Sequence, residues 1–233
     1  MLPESVTTTN NAATTNPALS SALAHGLAHL SLDLPATAIA QLLRYLDLIA
    51  RWNRVYNLTA VRDPQDMLTQ HLLDCLAIVP PLRRVIPPGT PTRVLDVGSG
   101  AGLPGVVLAI TQPGWSITCV DTVAKKASFI RQVAAELALP NLTATHQRVE
   151  TMDGQPHDLI TCRAFASLAD FITLSHERLA PQGRWVAMKA RLTAEEREAV
   201  PADVDVFHVE PITVPGLNAE RCLVWMRPRP AAA

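Results

Sequence analysis

A short apolar run leads directly into a glycine-rich turn at residues 94–105, and few folds accommodate such a segment. The run reads Val-Leu-Asp-Val-Gly-Ser-Gly-Ala-Gly-Leu-Pro-Gly. Glycines at this spacing let the backbone turn sharply and let a ligand approach without an intervening Cβ. The pattern predicts a strand, a ligand-binding turn and the start of a helix, which together open an α/β domain.

Beyond this turn, short apolar runs alternate with helical patterns. Strands are predicted at residues 93–97, 116–120, 142–146, 158–162 and 183–188, and helices at 125–137 and 169–179. The last two runs, 204–209 and 222–226, are joined by a connection too short for a crossover helix, which predicts an antiparallel hairpin. We therefore expect a mostly parallel sheet with an antiparallel strand near one edge.

The chain divides into four segments by composition. Residues 1–17 are polar and aperiodic and predict a disordered tail, and residues 18–90 predict an N-terminal helical region with a helix start near Pro64 and an end at Pro80-Pro81. A Pro- and Gly-rich linker precedes the α/β domain, which is predicted at residues 91–228 and is followed by a C-terminal tail at 229–233.

Charge and apolar patterning exclude several classes of protein. The formal net charge of −1 excludes a globally basic nucleic-acid binder, so any phosphate contact must come from a local patch. No window approaches about 18 consecutive apolar residues, and the first residues lack the features of a secretory signal. We therefore expect a cytoplasmic protein without a membrane span, with four reduced cysteines and no metal site.

Two acidic residues near the turn indicate which cofactor it binds. Asp121 follows Gly102 by 19 residues at the end of the next strand, where a carboxylate can accept both ribose hydroxyls of an adenosine. Asp96 directly precedes the turn, where it would repel a pyrophosphate and suit a cationic amine. These features favour S-adenosyl-L-methionine held by Asp96, Gly98, Gly100, Gly102 and Asp121.

Further segments make the chain similar to the bacterial small-subunit rRNA guanine-N7 methyltransferase family, also called glucose-inhibited division protein B. They occur in order at residues 51–59, 71–74, 96–105, 125–131, 148–150 and 163–167. The resemblance implies a class I, Rossmann-like S-adenosylmethionine-dependent methyltransferase with a mostly parallel seven-stranded sheet. It also implies methylation of N7 of a specific guanine in 16S rRNA, free or in the 30S particle.

The same resemblance implies a set of functional residues. Cofactor binding is expected at Gly98, Leu103, Val149, Glu150 and Arg163, with Asp121 at the ribose. The N7 lone pair carries no proton, so no general base is required, and Arg163 and Lys189 are candidates for positioning the reactants. Arg163 suits the methionine carboxylate or an RNA phosphate, the alternative being a solvated arginine at a strand end.

Contacts to RNA are the least specific part of the sequence interpretation. The candidates are Lys125, Lys126, Arg131, Phe165, Lys189 and Arg191. A solvated helix face remains the alternative for the basic residues, and a core position for the phenylalanine. The expected state is a monomer.

Three other functions stay open at the level of sequence. They are a methyltransferase that acts on a small molecule or protein, an NAD-dependent oxidoreductase that uses the same glycine-rich turn, and an RNA-binding module without catalytic activity.

Overall fold

A single seven-stranded sheet forms the centre of the molecule in this computed structural model, which describes residues 16–165 and 167–230. The strands are β1 Thr92–Val97, β2 Trp115–Asp121, β3 Leu142–His146, β4 His157–Arg163, β5 Leu179–Lys189, β6 Val204–Pro211 and β7 Cys222–Pro228. Their order is β3-β2-β1-β4-β5-β7-β6, in which β1 to β5 are parallel and β7 is antiparallel to both of its neighbours. The predicted parallel sheet and C-terminal hairpin are confirmed.

The helices cover both faces of the sheet. They are α1 Pro17–His29, α2 Ala36–Tyr56, α3 Pro64–Met67, a π-helical segment Leu68–Leu73, α4 Asp74–Leu76, α5 Val79–Val85, α6 Gly105–Thr111, α7 Ala124–Glu136, α8 Leu168–Ser175 and α9 Ala194–Glu198. The predicted helix start near Pro64 is confirmed, since Asp63 caps α3 through its side chain. Helix α9 was not predicted.

Two predicted boundaries differ from the structure. Pro80 and Pro81 do not end the helical region, because they occupy the first turn of α5, where the missing N–H groups have no helical partner in any case. The helix expected at 169–179 ends at Ser175, and Leu179 already belongs to β5.

The predicted tails lie mostly outside the described residues. Asn16 caps α1 by accepting a hydrogen bond from Ala18 N, so Pro17 is helical, whereas residues 1–15 are not described. At the other end, Arg229 N donates to Asp203 O over 2.7 Å, and residues 231–233 are not described.

The hydrophobic core runs from the helical region into the sheet. Because side chains alternate across a strand, Val94 and Ile117 face the α2 side while Leu95 and Ile160 face α8. Helix α2 packs on α6 and α7, and the Tyr45 hydroxyl donates to Ala101 O over 2.6 Å inside the glycine-rich turn. The boundary at residue 91 remains a sequence prediction, and the core extends across it.

The cysteines and the helix lengths agree with the sequence expectations. All four cysteines are buried free thiols, three of them in strands. Across the described residues, none of the helices is long and apolar enough to cross a membrane.

Candidate active site at the carboxyl edge of the sheet

The glycine-rich turn is held in place by the end of β2. Gly98 N and Ser99 N donate to Val120 O over 2.9 and 3.2 Å, and Gly100 N donates to Asp121 Oδ2 over 2.9 Å. The turn therefore lies at the carboxyl edge of the parallel strands, where ligands bind in sheets of this kind.

The glycines of the turn face different surroundings. Gly98 is exposed, and a Cβ there would lie 3.6 Å from the Phe165 ring, at the edge of a cleft. A Cβ at Gly102 would lie 2.5 Å from Val106 Cγ2, because Gly102 faces inward onto α6. The expectation that Gly102 borders the cofactor is thus wrong, and Leu103, whose side chain is buried, has only its main chain to offer.

Asp96 lies beneath the turn, not in the cleft. Its carboxylate is fully buried, and Oδ2 accepts a hydrogen bond from Gly105 N over 2.9 Å at the start of α6. Burial raises the pKa of Asp96 to about 7. The expected direct contact with the cofactor's ammonium group is therefore corrected to a role in shaping the turn.

An Asp96→Asn variant should reveal this buried acid in the pH dependence of stability. Since the folded pKa is raised from the ordinary 3.8 to about 7, the stability contributed by Asp96 is lost as pH rises through this range. We expect wild-type protein to lose about 2 kcal/mol relative to the variant between pH 5 and pH 8. Urea unfolding at both pH values measures this difference, and a constant difference would contradict it.

Asp121 borders the cleft and is fixed by main-chain donors. Its Oδ1 accepts from Val123 N over 2.8 Å and its Oδ2 from Gly100 N, and Lys126 Nζ lies 3.7 Å from Oδ2. An ionised carboxylate has about four acceptor positions, so both oxygens retain capacity for further donors.

The cleft beside Asp121 has a volume of about 360 Å³ and is called the cofactor cleft below. Five predicted cofactor residues border it, namely Gly98, Asp121, Val149, Glu150 and Arg163. Val149 is buried, whereas Glu150 is exposed and pairs with Arg148 over 2.6 Å. A carboxylate beside an open turn and an apolar wall fits the ribose, methionine and adenine parts of S-adenosylmethionine.

A second cleft of about 630 Å³, called the basic cleft, adjoins the first. Arg163, Ala164 and Phe165 border both clefts and form the wall between them. The Phe165 ring packs against Phe171 with ring centroids 5.7 Å apart. Phe165 thus lies where the two clefts meet, between the two positions that the sequence left open.

Arg163 is anchored by the helical region. Its Nη1 donates to Gln70 O over 2.8 Å and to Asp74 Oδ2 over 3.1 Å, and Arg221 Nε donates to Asp74 Oδ1 over 2.8 Å. Asp74 is only 3% exposed. The sequence analysis missed Asp74 and Arg221 as site residues, and the only local signal was an acid among the apolar residues of the π-helix and α4.

The RNA candidates are only partly brought together. Lys189 and Arg191 border the basic cleft, and Lys126 borders the cofactor cleft. Lys125 is exposed on α7. Arg131 does not join them, because its guanidinium donates to Ala144 O and Ser128 Oγ beside β3.

Glu196 is a further residue of the basic cleft that the sequence analysis missed. It accepts a hydrogen bond from Lys189 Nζ over 2.5 Å and forms the capping box of α9 with Thr193. A threonine followed three residues later by glutamate is the sequence signature of such a box and was the available signal. The described residues include no group of metal-ligating side chains.

Comparison with known proteins identifies relatives along most of the chain. Residues 38–224 match the GidB family model, described as rRNA small subunit methyltransferase G. The "Ribosomal RNA small subunit methyltransferase G" of Albidiferax ferrireducens is 60% identical over 218 residues, covering 90% of this chain and 97% of the relative. The protein of that name from Acidovorax sp. is 57% identical over 222 residues, covering 91% and 97%.

Solved structures agree on the fold. MtNAS in complex with S-adenosylmethionine superposes with a TM-score of 0.57 at 15% identity, covering 82% of this chain and 79% of that one. TrmN from Thermus thermophilus gives a TM-score of 0.53 at 18% identity, covering 70% and 53%.

Proposed function

This chain belongs to the rRNA small subunit methyltransferase G family and is an S-adenosylmethionine-dependent methyltransferase of 16S rRNA, and we propose that its acceptor is N7 of a specific guanine. The observation that carries the proposal is the wall shared by the two clefts. A methyl donor in the cofactor cleft and a base in the basic cleft would meet across Arg163, Ala164 and Phe165.

The chemistry asks the protein mainly for positioning. S-adenosylmethionine supplies an activated methyl group on a sulfonium, and the N7 lone pair of guanine accepts it without loss of a proton. Well-oriented reactants can gain about 7–11 kcal/mol from being held in line. The anchored Arg163 and the packed Phe165 support this role, since neither side chain is free to move.

A cysteine nucleophile is not needed and is not favoured. Cys162 borders the basic cleft but is buried, and burial raises the pKa of its thiol well above the ordinary value. A thiol in that state is a poor nucleophile. This supports attack by the ring nitrogen itself over a covalent enzyme–base intermediate.

The cofactor assignments follow from the residues around the cofactor cleft. We assign Asp121 to the ribose, the turn at Val149 and Glu150 to the adenine, and the main chain at Gly98 and Gly100 to the methionine part. Arg163 lies at the junction, where it would hold either the methionine carboxylate or an RNA phosphate.

An Asp121→Asn variant should bind S-adenosylmethionine about 30-fold more weakly than wild type. The amide would turn a donor toward Gly100 N or Val123 N and would lose the charge-assisted bonds to the ribose. Isothermal titration calorimetry measures the dissociation constant. Asp158→Asn is the matched control, because Asp158 also accepts from a main-chain N–H, that of Arg93, but at the opposite edge of the sheet. Equal affinities in the Asp121 variant and wild type would contradict the assignment.

Recognition of RNA would depend on a local rim. With a net charge of −1, the protein has little sequence-independent attraction for phosphates. We assign the contacts to Lys125, Lys126, Lys189, Arg191 and Phe165, and we propose a cytoplasmic monomer acting on folded 16S rRNA or a 30S particle.

Incubation of purified protein with S-adenosylmethionine and unmethylated 30S particles tests the proposed acceptor. We expect one 7-methylguanosine in 16S rRNA, located by chemical cleavage at the modified base. Methylation of another atom of the RNA would refute N7 as the acceptor. Label found only in protein or small molecules would favour the alternative substrates.

A further inference from the structure

The basic cleft contains carboxylates as well as cations. Among the described residues that border it, these are Asp74 and Glu196. Both oxygens of Asp74 are engaged by guanidinium groups, Oδ1 by Arg221 and Oδ2 by Arg163. Glu196 is therefore the carboxylate with capacity for a ligand.

Glu196 is held in a defined orientation without being saturated. Lys189 Nζ binds Oε1 over 2.5 Å, and Oε2 lies 3.4 Å from Thr193 N in the capping box. Glu196 is 25% exposed and Lys189 17%. Since a carboxylate offers about four acceptor positions, each oxygen can still accept one hydrogen bond from a ligand in the cleft.

The chemistry of guanine matches this arrangement. Its Watson–Crick edge presents the N1–H and N2–H₂ donors, and this edge lies on the side of the base away from N7. A guanine that directs N7 toward the shared wall would direct these donors toward the β5–α9 side of the cleft, where Glu196 lies. Adenine presents an acceptor at N1 and would face a carboxylate unfavourably, whereas a carboxylate accepts both guanine donors.

We propose that Glu196, oriented by Lys189, accepts hydrogen bonds from N1–H and N2–H₂ of the target guanine and so determines the specificity for guanine. This inference rests on the proposed function, because it takes guanine N7 as the methyl acceptor. The same carboxylate faces a ring that becomes cationic when N7 is methylated, so its charge also stabilises the transition state.

Removal of the guanine 2-amino group tests this inference. Inosine keeps N7, O6 and N1–H but lacks the N2 donors, so the reacting atom is unchanged. The kcat/KM is measured on 30S particles reconstituted with guanosine or inosine at the methylated position. Wild-type protein should prefer guanosine by about tenfold or more, and Glu196→Gln should reduce this preference to within about threefold.

The matched controls separate recognition from folding. Glutamine can keep the capping box, and Glu198→Gln changes an exposed glutamate of the same helix and should retain the wild-type preference. Equal rates on both particles with wild-type protein, or an unchanged preference in Glu196→Gln, would overturn the role of Glu196. Failure of wild-type protein to modify N7 of the guanosine particle would instead overturn the proposed function, and this inference with it.

Discussion

The Asp74→Asn variant should lose about 3 kcal/mol of unfolding free energy relative to wild type. Asp74 bridges Arg163 and Arg221 with both oxygens and is 3% exposed, while the two arginines are 22% and 24% exposed. Removing one partner from a buried ion pair leaves uncompensated charge, which costs about 3–5 kcal/mol. Because both side chains also border the basic cleft, we expect methylation to decline in parallel.

The chain contains a matched control for this substitution. Asp47 also bridges two arginines, Arg44 and Arg51, over 3.1 and 2.7 Å, but it is 49% exposed on α2. Asp47→Asn should therefore change the unfolding free energy by less than about 1 kcal/mol. Denaturant unfolding of both variants measures the difference. Similar losses in the two proteins would show that the buried triad does not stabilise the fold as its geometry implies.

Replacement of Gly102 by alanine should weaken S-adenosylmethionine binding about 100-fold and destabilise the fold by about 3 kcal/mol. Gly102 has φ +89°, and the added Cβ would lie 2.5 Å from Val106 Cγ2 and 3.3 Å from Ile130 Cγ1. Relief of this contact must move the glycine-rich turn. The displacement would reach Gly98 and Gly100, which we assign to the methionine part of the cofactor.

Gly89→Ala separates backbone strain from displacement of the turn. Gly89 also has a positive φ, of +84°, but a Cβ there meets nothing within 4 Å. This variant should lose about 1 kcal/mol of stability and keep wild-type affinity for S-adenosylmethionine. Calorimetric titration and thermal unfolding of the two variants test the contrast. Wild-type cofactor affinity in Gly102→Ala would remove the turn's packing on α6 from the account of the site.

The fold was largely predictable because its strands carry strong local signals. Buried parallel strands appear in the sequence as short apolar runs, and the run at 142–146 coincides with β3. The helical restart at Pro80 was less predictable, since proline both ends one helix and begins another. The capping box at Thr193 was visible in the sequence, but its helix of five residues carries no apolar periodicity.

The site was less predictable than the fold because spacing does not report burial. Asp96 and Gly102 have the spacing of ligand contacts, yet the structure turns both toward the interior. Asp74 lies 89 positions from Arg163 and 147 from Arg221, so no local pattern could join them. Gly98, Asp121, Val149, Glu150 and Arg163 do converge on one cleft, as the family resemblance implied.

The contacts of the helical region have a consequence for how the protein unfolds. The Tyr45 hydroxyl bonds the glycine-rich turn, and Asp74 neutralises an arginine at the end of β4 and another beside β7. Melting of the helices alone would expose the back of the turn and leave two half-buried cations unpaired. We therefore expect calorimetric and van't Hoff enthalpies to agree in a single cooperative transition, despite the Pro- and Gly-rich linker between the two halves of the sequence.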